Sequence, residues 1–298
     1  MEHIDGILLL DKAEGMTSNA ALQAAKRLLG AKKAGHGGTL DPLATGLLMI
    51  CFGEATKFSA VLLDAEKTYA AQVRLGVTTR TGDAEGEVTS RQTVEIDDNR
   101  LRTVLREFVG GYEQLPPAYS ALKHRGRPLY EYARAGHEAP RSRRWVEISR
   151  LSLDQREGDQ INLTVTCGKG TYVRSLAEDI GVRLGCGAHL AALRRLASGP
   201  FRLDDAVALP AIEAESLEAR RARLLASDVP LLALPEVVVA PDTAVRLWRG
   251  QRVIEGWEAP SGLVRLYVES IPRRFMGLGE ITADGCLVPR RLMVEKEA

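Results

Sequence analysis

The 298-residue chain has little on which redox, hydrolytic or membrane chemistry could be built. It has four cysteines, Cys51, Cys167, Cys186 and Cys286, and no C-x-x-C pair. Without a signal-like start they read as reduced thiols of a cytoplasmic protein. Cys186 and His189 form a lone C-x-x-H, but no second ligand pair stands at zinc-like spacing, so no metal is expected. The Met1–Asp5 start carries acids where a signal peptide needs bases, and the apolar run Ile7–Leu10 is short for an h-region. No apolar stretch approaches the roughly 20 residues of a membrane helix. G-x-x-x-x-G-K-[ST], G-x-S-x-G and H-E-x-x-H are all missing, which removes the usual phosphate, serine-hydrolase and metalloprotease readings.

A strong charge of one sign is also lacking: 40 Lys+Arg stand against 39 Asp+Glu. The balance is uneven along the chain. Ser120–Arg150 holds eight bases and only three acids, a local +5. Such a patch suits phosphate contact, and it suits a solvated surface loop equally well. Length and composition allow one large domain and a smaller one.

Apolar spacing predicts strands over Gly6–Leu10, Thr68–Leu75, Val146–Leu153 and Gln160–Cys167. Val88–Glu95 continues a hairpin. Helices are expected from a Ser18 cap through Leu29, over Asp97–Phe108, over Val173–Leu184 and over Glu213–Leu225. Asp41-Pro42 reads as an N-cap with proline at the first helical position. Lys32–Gly38 reads as a basic, glycine-rich loop, Gly76–Gly86 as an acidic connection, and Leu190–Leu196 as a short apolar and basic piece. From Glu236 onward, short strands separated by glycines indicate a small β-barrel-like unit. With no regular βαβ rhythm, the fold class is α+β, with a mixed, largely antiparallel sheet flanked by helices.

One loop stands out: Gly35-His36-Gly37-Gly38-Thr39-Leu40-Asp41-Pro42-Leu43-Ala44-Thr45-Gly46. Spacing alone makes Asp41 a helix cap and His36 a hydrogen-bonded loop residue. Together, however, these residues resemble the signature of the bacterial tRNA pseudouridine-55 synthase family. The likeness continues in order through Gly6-x-Leu8-x-Leu10-Asp11-Lys12, Lys67-Thr68-Tyr69 with Leu75-Gly76, and Pro116-Pro117-x-Tyr119-Ser120-Ala121-Leu122-Lys123. It ends with Gly168-Lys169-Gly170-Thr171-Tyr172-Val173-Arg174-Ser175 and Leu193-Arg194-Arg195. Ala13 and Gly37 depart from the family's usual proline and larger residue.

The resemblance implies a cofactor-free enzyme that flips a uridine out of the TΨC loop of tRNA and rejoins its base to C1′ through C5. It implies that Asp41 is the essential carboxylate, as nucleophile or as base, and that Arg174 pairs with it. Tyr69 would stack on the flipped base, Tyr172 and Leu193 would line the uracil pocket, and His36 would fill the space the base leaves. Residues 1–234 would form the catalytic domain, with an RNA-binding insertion at about 115–144. Residues 235–298 would form an RNA-binding domain of the PUA type. The partner implied is the tRNA T-arm, with the chain acting as a monomer and needing no obligatory protein partner. Two rivals are a guide-dependent synthase and an RNA-binding or tRNA-folding protein without catalysis.

Overall fold

The computed structural model describes residues 3–294. Its main sheet runs Ile148–Glu157, Gln160–Cys167, Lys67–Leu75, Ala188–Ser198, Thr45–Phe52, Gly6–Lys12 and Val207–Ala208. Ala34–His36 adds to Thr45–Phe52, and Phe201–Arg202 to Ala188–Ser198. Ala188–Ser198 is parallel to Thr45–Phe52, and Gly6–Lys12 to Val207–Ala208; the other pairings are antiparallel. The expected mixed, largely antiparallel sheet is therefore present.

Central strands are covered on both faces, so they must be apolar on both. Gly46–Phe52, seven buried residues in a row, meets that demand. One core cluster packs Leu101, Val104 and Leu105 of the Asp98–Arg106 helix and Leu176 and Ile180 of the Val173–Leu184 helix against Val73, Ile161 and Leu190. A second packs Ala21, Leu22 and Ala25 of the Ser18–Leu28 helix against Leu8, Leu48 and Ile50. Tyr69 and Leu193 are half-buried and touch both clusters. They sit where the two halves of the core meet, a natural place for a pocket.

Local signals were overridden in several places. No helix follows Asp41: the chain passes directly into the Thr45–Phe52 strand, because the two-sided apolar run after it is needed in the sheet. Thr17, not Ser18, caps the first helix, its hydroxyl accepting from Ala20 N. Glu213–Leu225 is two short helices, Leu209–Glu213 and Leu217–Ala222, since Ser216 caps a fresh start. Leu190–Leu196 belongs to the eleven-residue strand Ala188–Ser198, and Ala34–His36 is a strand rather than loop.

After a short linker, Glu236–Val239, Gly262–Val268, Arg274–Ile281, Cys286–Leu292 and Val253–Ile254 form a five-stranded sheet. Its own core includes Val237, Leu247, Val264, Leu266 and Leu287. Lys57 Nζ, which is paired with Glu54, donates to Leu292 O at 2.8 Å, and Phe58 lies against Phe275, so this unit is fastened to the main one. Among the described residues no helix is long and apolar enough to cross a membrane.

Candidate active site

The segment carrying Asp41 is pinned from several sides. Ser18 Oγ donates to Leu40 O at 2.8 Å and accepts from Leu40 N at 2.7 Å. Lys12, fully buried, donates through Nζ to Met16 O at 2.6 Å, Ala13 O at 2.8 Å and Pro42 O at 3.4 Å. Arg195 Nη2 donates to Gly38 O at 3.2 Å. Gly46 (φ +96°) passes so close to the Ala188–Ser198 strand that a Cβ would lie 2.4 Å from Arg195 O. The loop is thereby fixed without a helix behind it, and the carboxylate of Asp41 is held out rather than spent on capping amides.

Arg174, second residue of the Val173–Leu184 helix, meets Asp41. Its Nη2 lies 3.1 Å from Asp41 Oδ2 and donates to Tyr119 O at 2.7 Å. Its Nη1 lies 3.2 Å from Asp83 Oδ2 and donates to Thr81 O at 3.3 Å. Asp83 is itself fixed, its Oδ1 accepting from Thr81 Oγ1 at 2.5 Å and from Glu85 N at 3.2 Å. One planar guanidinium thus bridges two carboxylates and two carbonyls, a geometry lysine cannot reproduce. Burial raises the Asp41 pKa above the ordinary carboxylate value; Arg174 opposes this, the Asp83 charge adds to it, and Lys12 opposes it.

Asp41, Tyr69, Tyr172, Arg174 and Leu193 line one cavity of about 340 Å³. Tyr172 is held by its backbone, its N–H donating to Gln114 Oε1 at 2.8 Å and its carbonyl accepting from Gln114 Nε2 at 3.1 Å. His36 lines a neighbouring cavity of about 500 Å³, with Asp83, Tyr119 and Tyr130. Asp41 and Arg174 line both cavities and form the wall between them. The Nδ1 of His36 is buried without a hydrogen-bond partner, and its pKa is lowered by burial and then by Arg195, so the ring is neutral.

The basic segment is an excursion between two paired strands, Tyr112–Gln114 and Arg144–Val146. It carries the Lys123–His124/Arg127–Pro128 hairpin and the Leu129–Arg134 helix. Its Tyr119 carbonyl takes the hydrogen bond from Arg174, and Ser120 lines both cavities. Nearly the whole chain corresponds to known proteins. Residues 26–173 match the TruB family pseudouridylate synthase N-terminal domain. Residues 174–246 match the tRNA pseudouridylate synthase B C-terminal domain, and 235–293 the C-terminal model of pseudouridine synthase II TruB. A tRNA pseudouridine synthase B of Thiobacillus denitrificans is 54% identical over 99% of this chain and 98% of its own. One of Methylobacillus flagellatus is 51% identical over 98% and 96%. Among solved structures, a Cbf5-Nop10-Gar1 complex aligns at 26% identity and TM-score 0.68, covering 98% of this chain and 84% of that one. The chain belongs to the TruB family of pseudouridylate synthases.

Within this TruB chain, sequence reasoning gave no role to three groups. Asp83 lies in a turn-rich acidic connection, where one more acid carries no signal. Lys67, 8% exposed, lines the cavity while its Nζ donates to Leu62 O, Leu63 O and Ala65 O at 3.1, 2.7 and 2.5 Å. Arg195 also lines it, donating from Nε to Leu47 O at 2.6 Å, and its charge acts on the Tyr69 phenol. The departure at Gly37 has a local reason: a Cβ there would sit 2.6 Å from Leu62 Cβ and 2.7 Å from its Cδ1. Cys186 and His189 are not a metal pair, because Sγ bonds Gly187 O and Nδ1 lies 2.8 Å from Val77 O.

Proposed function

We propose that this chain isomerises uridine-55 in the TΨC loop of tRNA to pseudouridine, with Asp41 as the essential carboxylate. The observation that carries the reading is the Asp41–Arg174 pair at 3.1 Å on the wall of a cavity also lined by Tyr69, Tyr172 and Leu193. A base stacked within a folded RNA loop cannot reach into this cavity, so the target base has to leave its stack. Tyr69 stacks on that base, a contact typically worth about 1–3 kcal/mol. Tyr172 and Leu193 close the cavity around the ring. Arg174 aims the ionised carboxylate and keeps it charged against the raising effect of burial. His36, neutral and in the adjoining cavity, takes the place of the extruded base without titrating.

The basic excursion at about 115–144 closes on the T-arm, and residues 235–298 add a second RNA contact as a PUA-like domain. The catalytic domain comprises residues 1–234. The chain acts in the cytoplasm as a monomer, on bare tRNA, without a cofactor or a protein partner. The test is tritium release from C5-labelled uridine in tRNA. Wild type releases tritium and Asp41→Asn does not. Equal release by both would sink the assignment. Release only in the presence of a guide RNA and accessory proteins would support the guide-dependent rival. Normal refolding of tRNA by Asp41→Asn would give the chain a folding role beside catalysis.

A further inference from the structure

Burying a cation without a carboxylate partner is costly, and the cost is sustained where something else in the site uses the charge. Arg195 is 1% exposed. Its hydrogen-bond partners are the carbonyls of Leu47 and Gly38; no carboxylate among the described residues pairs with it. Lys67 is a second buried cation in the same cavity, held by three carbonyls at the end of the Ser59–Asp64 helix. The charged side chains lining the cavity are Lys67, Lys169, Arg174 and Arg195 against Asp41 alone. Lys169 is paired with Asp64, and Arg174 with Asp41 and Asp83, which leaves Lys67 and Arg195; a uracil ring entering the cavity is neutral, so these two match no charge on the ring itself.

We propose that Arg195 and Lys67 stabilise the negative charge on the uracil ring during the interval in which it is detached from C1′, an inference that rests on the reading of this cavity as the uridine site. When the C1′–N1 bond breaks, its electron pair leaves with the ring and spreads over N1 and the two carbonyl oxygens. After the ring turns, C5 bonds to C1′, the C5 proton is lost and N1 takes up a proton. The product is an isomer, and nothing else is consumed. Fixed positive groups aimed at charge that exists only part-way along the reaction accelerate it without tightening substrate binding. Both cations are held in place before the substrate arrives. Arg195 also braces Gly38 O, three residues before Asp41, so a purely structural role has to be separated from an electrostatic one.

The separating experiment compares T-arm stem-loop RNAs carrying uridine or 5-fluorouridine at the target position, with single-turnover consumption of the N-linked nucleoside as readout. Fluorine withdraws electrons and stabilises the ring anion by itself. With uridine, Arg195→Gln and Lys67→Met are expected to slow the reaction about 100-fold, and with 5-fluorouridine only about tenfold, with little change in KM. Arg195→Lys retains the charge and keeps the wild-type ratio between the two RNAs. Equal slowing on both RNAs in either neutral variant means that the residue is only a brace, and overturns the proposal. Should Arg195→Gln fail to fold in a thermal melt, Lys67→Met carries the same comparison. Wild type inactive on both RNAs would instead overturn the reading of the site.

Discussion

Asp41 and Asp83 hold opposite amino groups of one guanidinium: Arg174 Nη2 is 3.1 Å from Asp41 and Nη1 is 3.2 Å from Asp83. The Asp41 side chain is 45% exposed, whereas that of Asp83 is 3% exposed. Asp83 therefore acts on the reaction through Arg174. Replacing it with Asn removes one of the groups that orient the arginine, and small misplacements of a reacting group cost up to about 100-fold. Asp83→Asn is expected to lower kcat by about 10- to 100-fold with KM nearly unchanged. Steady-state kinetics on tRNA would refute this if kcat held and KM rose.

The acid side of the pH profile follows from the same triad. Burial holds the Asp41 pKa above the ordinary carboxylate value, and the Asp83 charge raises it further. Since the ionised form reacts, the rate falls as pH drops through that raised value. Neutralising Asp83 removes one raising charge, so the acid limb of Asp83→Asn moves to lower pH. A limb that stays in place or moves upward contradicts the assignment of the titrating group to Asp41.

Stability takes the opposite sign. A carboxyl group whose pKa is raised by folding binds its proton more tightly in the folded state, so its contribution becomes unfavourable as pH rises through that value. At neutral pH the ionised Asp41 is a cost to the fold. Asp41→Asn, with Arg174 still paired to Asp83, is expected to have a higher urea midpoint than wild type at pH 7 and no advantage at acid pH.

Gly37 and Leu62 should behave as a pair. A methyl group at 37 drives against Leu62 Cβ, a rigid part of that side chain, and overpacking of this kind costs about 1–3 kcal/mol. Gly37→Ala is expected to lower stability in that range. Leu62→Ala opens the space, so the double variant should recover part of the loss, with a coupling of about 0.5–3 kcal/mol in a denaturation cycle. Strict additivity would show that the two side chains do not meet.

An alkaline limb belongs to Lys67. Burial brings its pKa down to about 8; Arg195 and Lys169 push the same way, and Cys167 and Asp64 oppose them. If its cation serves the reaction, kcat falls as pH rises through about 8. Lys67→Arg keeps its charge over this range and should lose that limb, whatever its absolute rate.

Where residues did one job, the sequence alone was enough to place them. The Val173–Leu184 helix and the Gln160–Cys167 strand have the bounds that periodicity gives. Asp41, Tyr69, Tyr172, Arg174 and Leu193, drawn from separate motifs, line one cavity. Elsewhere residues served two masters. The alternation of Ala188–Ser198 is broken by bulges at Leu190/Ala192 and Arg195/Ala197, so a long central strand reads as a short mixed piece and Arg195 is hidden in it. Asp41-Pro42 has the local chemistry of a helix start, but the strand that follows needs the chain more. Asp83 is legible only in three dimensions, because its partner Arg174 is 91 residues away.

The basic excursion leaves and rejoins the body at one point, since Gln114 and Arg144 are register partners. Such a loop can be exchanged as a cassette, its two ends being already adjacent. The exchange has a single toll at the active centre: Arg174 now spends a hydrogen bond on Tyr119 O, a carbonyl that belongs to the cassette. Any replacement has to return one carbonyl to that spot, and a library of grafted loops could be screened for that atom before any is tested for RNA.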